Sequence, residues 1–151
     1  LVLGWVWLVW RGGPRGRALA LVALLLVALS DQVSAFVLKP LFGRPRPHSP
    51  LPGFPSSHAS NIFAQATLFS WAYPKLTATF FGIASVVGFS RVYLGKHYPL
   101  DVVAGGLFGA ACGALAIVVL KRNEPRFERV WAWIFDRVPG KPMDLNPDDA
   151  P

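Results

Sequence analysis

Pro99–Leu120 reads PLDVVAGGLFGAACGALAIVVL. Its only charge is Asp101, and as helix it is long enough to cross a bilayer core of roughly 30 Å, which takes about 20 residues. Three more runs of this kind precede it. Ala18–Leu38 is charged only at Asp31, and Leu76–Leu94 only at Arg91. Ser56–Tyr73 is uncharged and has His58 near its start; Pro74 marks its end, because the residue before a proline resists helix. Together they predict an all-α, polytopic transmembrane helix bundle. No strand is expected, since an open sheet edge in lipid leaves backbone groups unpaired. Leu1–Trp10 is about 15 Å long as helix, too short to span, and reads as the end of a helix that begins before Leu1. The transmembrane domain, residues 1–122, is therefore expected to be N-terminally incomplete.

Composition points the same way. Of the 151 residues 53% are hydrophobic and 15% charged, with a mean hydropathy of +0.41. Soluble domains carry about 25% charged residues. One cysteine, Cys112, excludes an internal disulfide framework. The net charge of +7 fits a membrane better than nucleic acid, given runs this apolar. Alternating the connections puts Arg11, Arg15, Arg17, Lys75, Lys121, Arg122, Arg126, Arg129, Arg137 and Lys141 on one side, and Lys39, Arg44, Arg46, Arg91 and Lys96 on the other. The richer side is cytoplasmic by the positive-inside rule. This predicts a multi-pass membrane protein with the poorer side facing the exterior.

Beyond the last span Phe127, Val130, Trp131 and Ile134 recur at helical spacing among charged residues. Residues 123–138 are expected to form an amphipathic interfacial helix, and residues 139–151, rich in proline and aspartate, a disordered tail.

The polar residues gather at the outer ends of the spans: Lys39, Arg46, Ser56, Ser57, His58, Arg91, His97 and Asp101. Ionisable groups in spans cost a few kcal/mol and mark function. The cations suggest an anionic ligand; the histidines and the carboxylate suggest proton handling or nucleophilic attack on it. The spans starting at Ser56 and Pro99 run inward, so both present helix N-termini, suited to phosphate, to the outer face. Ser56 or Ser57 is a plausible N-cap, and either a hydroxyl or a backbone N–H can reach a phosphate oxygen. Pro99 suits a first helical position. Asp101, in the first turn, is then expected to reach back to a ring nitrogen of His97 and fix its tautomer.

These residues carry a resemblance. Lys39 with Arg46-Pro47 fits KxxxxxxRP; Pro55-Ser56-Ser57-His58 fits PSGH with serine for glycine; Ser90-Arg91, His97 and Asp101 fit SRxxxxxHxxxD. In this order and spacing the chain resembles the type 2 phosphatidic acid phosphatase family, whose active site is similar to that of vanadium haloperoxidases. The resemblance implies a metal-independent membrane lipid phosphatase with no cofactor. His97 would attack phosphorus, Asp101 would orient it, and His58 would protonate the leaving oxygen and then activate water. Lys39, Arg46, Arg91, Ser56 and Ser57 would hold the phosphate oxygens. The implied partners are membrane lipids and a lipid phosphate or pyrophosphate. The motif stretches look most like undecaprenyl pyrophosphate phosphatases, with phosphatidylglycerophosphate, phosphatidic acid and lipid A phosphates as alternatives. Arg44 and Lys96, outside the motifs, could contact a second phosphate.

Other features have plainer readings. His48 is expected to be a solvated loop residue. Asp31 either pairs with a cation or packs as a polar group. Gly105, Gly109 and Gly113, four residues apart, read as a close-packing seam. Cys112 reads as a buried thiol and the six tryptophans as interface anchors. A non-enzymatic binder of anionic lipids, or a transporter, would need the cations but not His58, His97 and Asp101 together.

Overall fold

The computed structural model describes residues 2–135. Helix α1 (Val2–Arg11) is followed by α2 (Gly13–Val33), which passes through a π-helical turn, Ser34–Leu38, into the short α3 (Lys39–Phe42). Gly43 ends this run in a left-handed conformation, returning its N–H to the Lys39 carbonyl at 3.0 Å. Strands β1 (Pro45–Arg46) and β2 (Ser49–Pro52) follow, then α4 (Ser57–Ala72), a 3-10 turn over Pro74–Leu76, α5 (Thr77–Tyr93) and α6 (Pro99–Phe135).

The helical bundle is as expected, with three differences. The first is the antiparallel β1–β2 ribbon, Pro45 opposite Pro52 and Arg46 opposite Ser49. It lies in a connection between apolar segments. The argument against strands applies only where lipid surrounds the backbone, and a short ribbon of prolines with few N–H groups makes little demand. The second concerns the spans. Gly16–Phe42, Pro74–Tyr93 and Pro99–Asn123 are long and apolar enough to cross a membrane. Helix α4, the expected fourth, is shorter, with 16 residues and about 24 Å of length, yet it starts beside Asp101 and ends beside the start of α5, so it traverses the same depth as α5. It carries Asn61 and Gln65, and it is enclosed by protein: Ala59, Ala64 and Leu68 have no exposed surface. The third is α6, which runs unbroken to Phe135, so the stretch expected as a separate interfacial helix continues the last span. Residues 136–151, with the expected tail, lie outside the described residues.

The chain divides into two compact units, one of residues 26–117 and one of residues 1–25 with 118–151. The candidate site belongs wholly to the first. In that unit α4 packs on α5 through Phe69 and Phe80, with ring centroids 5.9 Å apart, and through Phe63 and Phe81 at 6.1 Å. Against α6 it packs through the glycine seam. A Cβ at Gly109 would stand 2.0 Å from the Ser60 carbonyl oxygen, and one at Gly113 2.8 Å from that of Ala64. The seam is close helix packing, as its spacing implied. The outward sides of α5 and α6 expose Ile83, Val86, Phe89, Val103 and Leu107. An apolar surface this extensive suits lipid rather than water.

Candidate active site

The site begins where two helices start side by side. Ser56 is the N-cap of α4 in extended conformation, but its hydroxyl makes no capping bond. Its N–H instead donates to the Asp101 carbonyl of α6 at 3.0 Å. The approach is close enough that a Cβ at Gly105 would stand 2.5 Å from the Ser56 carbonyl oxygen. Ser60, one turn on, donates its hydroxyl to that same carbonyl at 3.1 Å. Beside it the Ser57 hydroxyl lies 3.1 Å from the hydroxyl of Ser34, the first residue of the π-helical turn, and either can donate.

The other half comes from the connection after α5. Leu94 N–H donates to the Ser90 carbonyl, and Gly95, at φ +62°, turns the chain. Lys96 and His97 both donate to the Arg91 carbonyl, at 3.0 and 3.2 Å. Only a residue tolerant of positive φ takes that turn without strain. There is a second reason for glycine: a Cβ would meet the His48 ring at 3.0 Å. His48, expected as a solvated loop residue, is exposed but rests its ring on this turn. The turn leaves His97 only 5% exposed.

Between these halves is a cavity of about 380 Å³ lined by Asp31, Lys39, Arg46, Ser57, His58, Arg91, Lys96 and His97. Six of the eight residues singled out from sequence thus meet there. Ser56 does not: it has no exposed surface and its hydroxyl has no partner, so Ser57 alone brings a serine side chain to the cavity. Asp101 also has no exposed surface and stands behind His97. Its Oδ2 accepts the Tyr98 N–H at 2.9 Å and is 3.6 Å from His97 Nδ1. The two face each other at a distance too long for a hydrogen bond. Its Oδ1 faces Arg44 Nη1 at 3.2 Å, and the Arg44 guanidinium lies over the Tyr98 ring, 4.6 Å from the centroid. Arg44 is not among the cavity-lining residues, contrary to its expected place at a second phosphate, whereas Lys96 is. Arg91 is steadied by its neighbour, with Nε and Nη2 donating to the Ser90 hydroxyl at 3.2 and 3.1 Å.

Burial, and next the Arg46 guanidinium, hold the His97 imidazole below its ordinary value, although Asp101 and the Gly53 backbone favour the protonated ring. At neutral pH the ring is uncharged and keeps a lone pair. The cavity therefore offers four cations to an anion and a neutral imidazole backed by a carboxylate. Among the described residues no three of His, Cys, Asp or Glu come together as metal ligands would.

The PAP2 superfamily model matches residues 49–125. The lipid A 1-phosphatase of Rhizobium johnstonii is 37% identical over half of this chain and 31% of its own length. The lipid A 4'-phosphatase of Bacteroides thetaiotaomicron is 31% identical over 69% of this chain and 55% of its own length. YbjG, a provisionally named undecaprenyl-diphosphatase of Escherichia coli, is 30% identical over 87% of this chain and 71% of its own length. The chain thus spans about a third of the first of these relatives and a little over half of the second. No solved structure matches it.

Proposed function

The chain belongs to the PAP2 superfamily, and from that premise we propose that it is an integral-membrane lipid phosphatase acting through a phosphohistidine intermediate. The observation that carries this is the meeting of Lys39, Arg46, Arg91, His58 and His97 around one cavity, with Asp101 behind His97. Lys39, Arg46 and Arg91, with Ser57 and the N–H groups at the start of α4, hold the phosphate oxygens. The Nε2 lone pair of His97 attacks phosphorus; a P–N bond forms, the P–O bond to the lipid breaks, and His58 gives its proton to the departing oxygen. Water then loses a proton to His58 and displaces the histidine, releasing phosphate. The cations stabilise the charge that gathers on the equatorial oxygens, a task a metal performs elsewhere. Neither catalysis nor binding asks Ser56 for its side chain.

The substrate is a lipid phosphate or pyrophosphate. Undecaprenyl pyrophosphate is favoured by the motif stretches, by the YbjG match across most of this chain, and by Lys96 as an additional cation in the cavity. The lipid A phosphatases among the relatives support a second reading, a lipid A phosphate. The enzyme sits in the cytoplasmic membrane of a bacterium with this cavity on the outer side, as the basic-residue asymmetry implies. Purified protein, assayed in detergent against undecaprenyl pyrophosphate, lipid A, phosphatidylglycerophosphate and phosphatidic acid with no added metal, should release phosphate and prefer the first. Release from none of them would sink the phosphatase reading; a preference for lipid A would replace the substrate.

A further inference from the structure

Arg44 and Arg46 stand two residues apart in the outer connection, and the structure sends them to different places. In a regular strand residues two apart share a face. The register of β1 against β2 is irregular between Pro45 and Arg46, and such a kink re-aims the side chains around it. Arg46 lines the cavity. Arg44, its carbonyl tied to the Gly53 N–H at 2.8 Å, reaches Asp101 Oδ1 at 3.2 Å and lies over the Tyr98 ring, 4.6 Å from its centroid. Its side chain is 37% exposed, that of Asp101 wholly buried.

The groups facing the Asp101–His97 pair come from every element around it. Arg44 meets Oδ1, and the Tyr98 N–H and His97 Nδ1 face Oδ2. From β1 the Arg46 charge acts on the His97 ring, and from α4 the Ser56 N–H binds the Asp101 carbonyl. Arg44 is therefore the cation in contact with a carboxylate that water does not reach. A buried carboxylate beside a cation stays charged; without one it tends to take up a proton. We propose that Arg44 is a positioning residue for the His97–Asp101 pair. It holds the Asp101 carboxylate turned so that Oδ2 stays opposite Nδ1, which leaves the Nε2 lone pair of His97 toward phosphorus. This rests on the reading of His97 as the nucleophile. The Tyr98 ring is the shelf that holds the planar guanidinium, a role lysine fills poorly.

The test is the steady-state kinetics of full-length Arg44→Gln, Arg44→Lys and Tyr98→Leu in detergent, with a lipid monophosphate and a lipid diphosphate, each as a pH profile of kcat/KM. Arg44→Gln should lower kcat about ten- to a hundredfold, as the outer partners of a working histidine do. KM for both substrates should stay within about twofold, because binding common to ground and transition states is untouched. Without Arg44 the His97 ring faces an uncompensated carboxylate and takes up its proton at higher pH. The acidic limb should therefore move up by about one pH unit. Arg44→Lys should recover part of both changes, and Tyr98→Leu should move the limb in the same direction by less. A raised KM with kcat kept, larger for the diphosphate, would make Arg44 a substrate ligand and overturn the proposal. So would an unmoved acidic limb; if Arg44→Gln does not fold, the limb of Tyr98→Leu decides. A His97→Ala protein that turned over at the wild-type rate would instead remove the nucleophile reading, a result no Arg44 variant can mimic.

Discussion

At the scale of single residues the two histidines differ in how their loss should read. His97→Ala should abolish turnover while the protein still purifies folded, since it removes the proposed nucleophile. His58→Ala should slow turnover by about a hundredfold or more, the usual worth of a general acid, and least with a good leaving group that departs unprotonated. Equal losses across leaving groups would deny His58 that role. The pH dependence follows from the lowered His97 value. The ring must be neutral to attack, and its folded value lies below the ordinary 6.5 because of burial and Arg46. The acidic limb, set by protonation of His97, should thus lie below about 6.5, and activity should fall again at higher pH as His58, also held below its ordinary value by burial and then by Arg91, loses the proton it must give. A kcat/KM profile whose acidic limb sat above pH 7 would contradict this. The motif residues were legible because their chemistry is scarce in apolar sequence: Lys39, Arg46, His58, Arg91 and His97 stand out from their surroundings, and all line one cavity. Ser56 and Arg44 were not legible, for physical reasons. Adjacent serines at a helix start face different ways, and sequence does not say which of Ser56 and Ser57 turns to the cavity. The side of the chain on which Arg44 emerges depends on an irregularity in strand register that Arg44-Pro45-Arg46-Pro47 does not announce.

Among the elements, the contact of α4 with α6 is the one most exposed to substitution. Gly109→Val would force a side chain into the Ser60 carbonyl, where a Cβ alone would be 2.0 Å away. Overpacking of this kind costs about 1–3 kcal/mol, so the thermal midpoint in detergent should fall along with activity. Gly82→Ala is the control. Nothing lies within 4 Å of the position its Cβ would take, and alanine favours helix by about 1 kcal/mol in an interior position, so that variant should melt no lower than the parent. Equal midpoints for the two variants would deny the seam its importance. Four-residue glycine spacing made this seam readable without coordinates. Helix α4 is short for a span, and sequence does not show how far its neighbours cover it. Its Asn61 and Gln65 are tolerated because other helices enclose it. The π-helical turn at Ser34–Leu38 had no sequence signal, nor did the contact of its first hydroxyl with that of Ser57, at 3.1 Å.

For the whole molecule the questions are orientation and charge. With Cys112 replaced by serine, a cysteine at Ser49, in the β1–β2 ribbon, should react with an impermeant maleimide added outside intact cells. Labelling only after lysis would reverse the topology. Vanadate takes up the five-coordinate geometry of the proposed transition state, with His97 as an apical ligand, and should inhibit competitively, while EDTA should do little. Loss of activity in EDTA that a divalent ion restored would assign some of the supposed phosphate ligands to a metal. One bond has a longer reach than its 3.0 Å suggests: the Ser56 N–H on the Asp101 carbonyl. It clamps the start of the helix bearing His58 to the start of the helix next to His97, and both of its atoms are main chain. The gap between the proposed attacking and protonating groups is then set like the jaws of a wrench, by the screw and not by the bolt. Mutation can remodel the lipid-facing sides of α5 and α6 for another tail without resetting that gap. A lineage built on such a clamp is free to change its diet of lipids while its reaction stays the same.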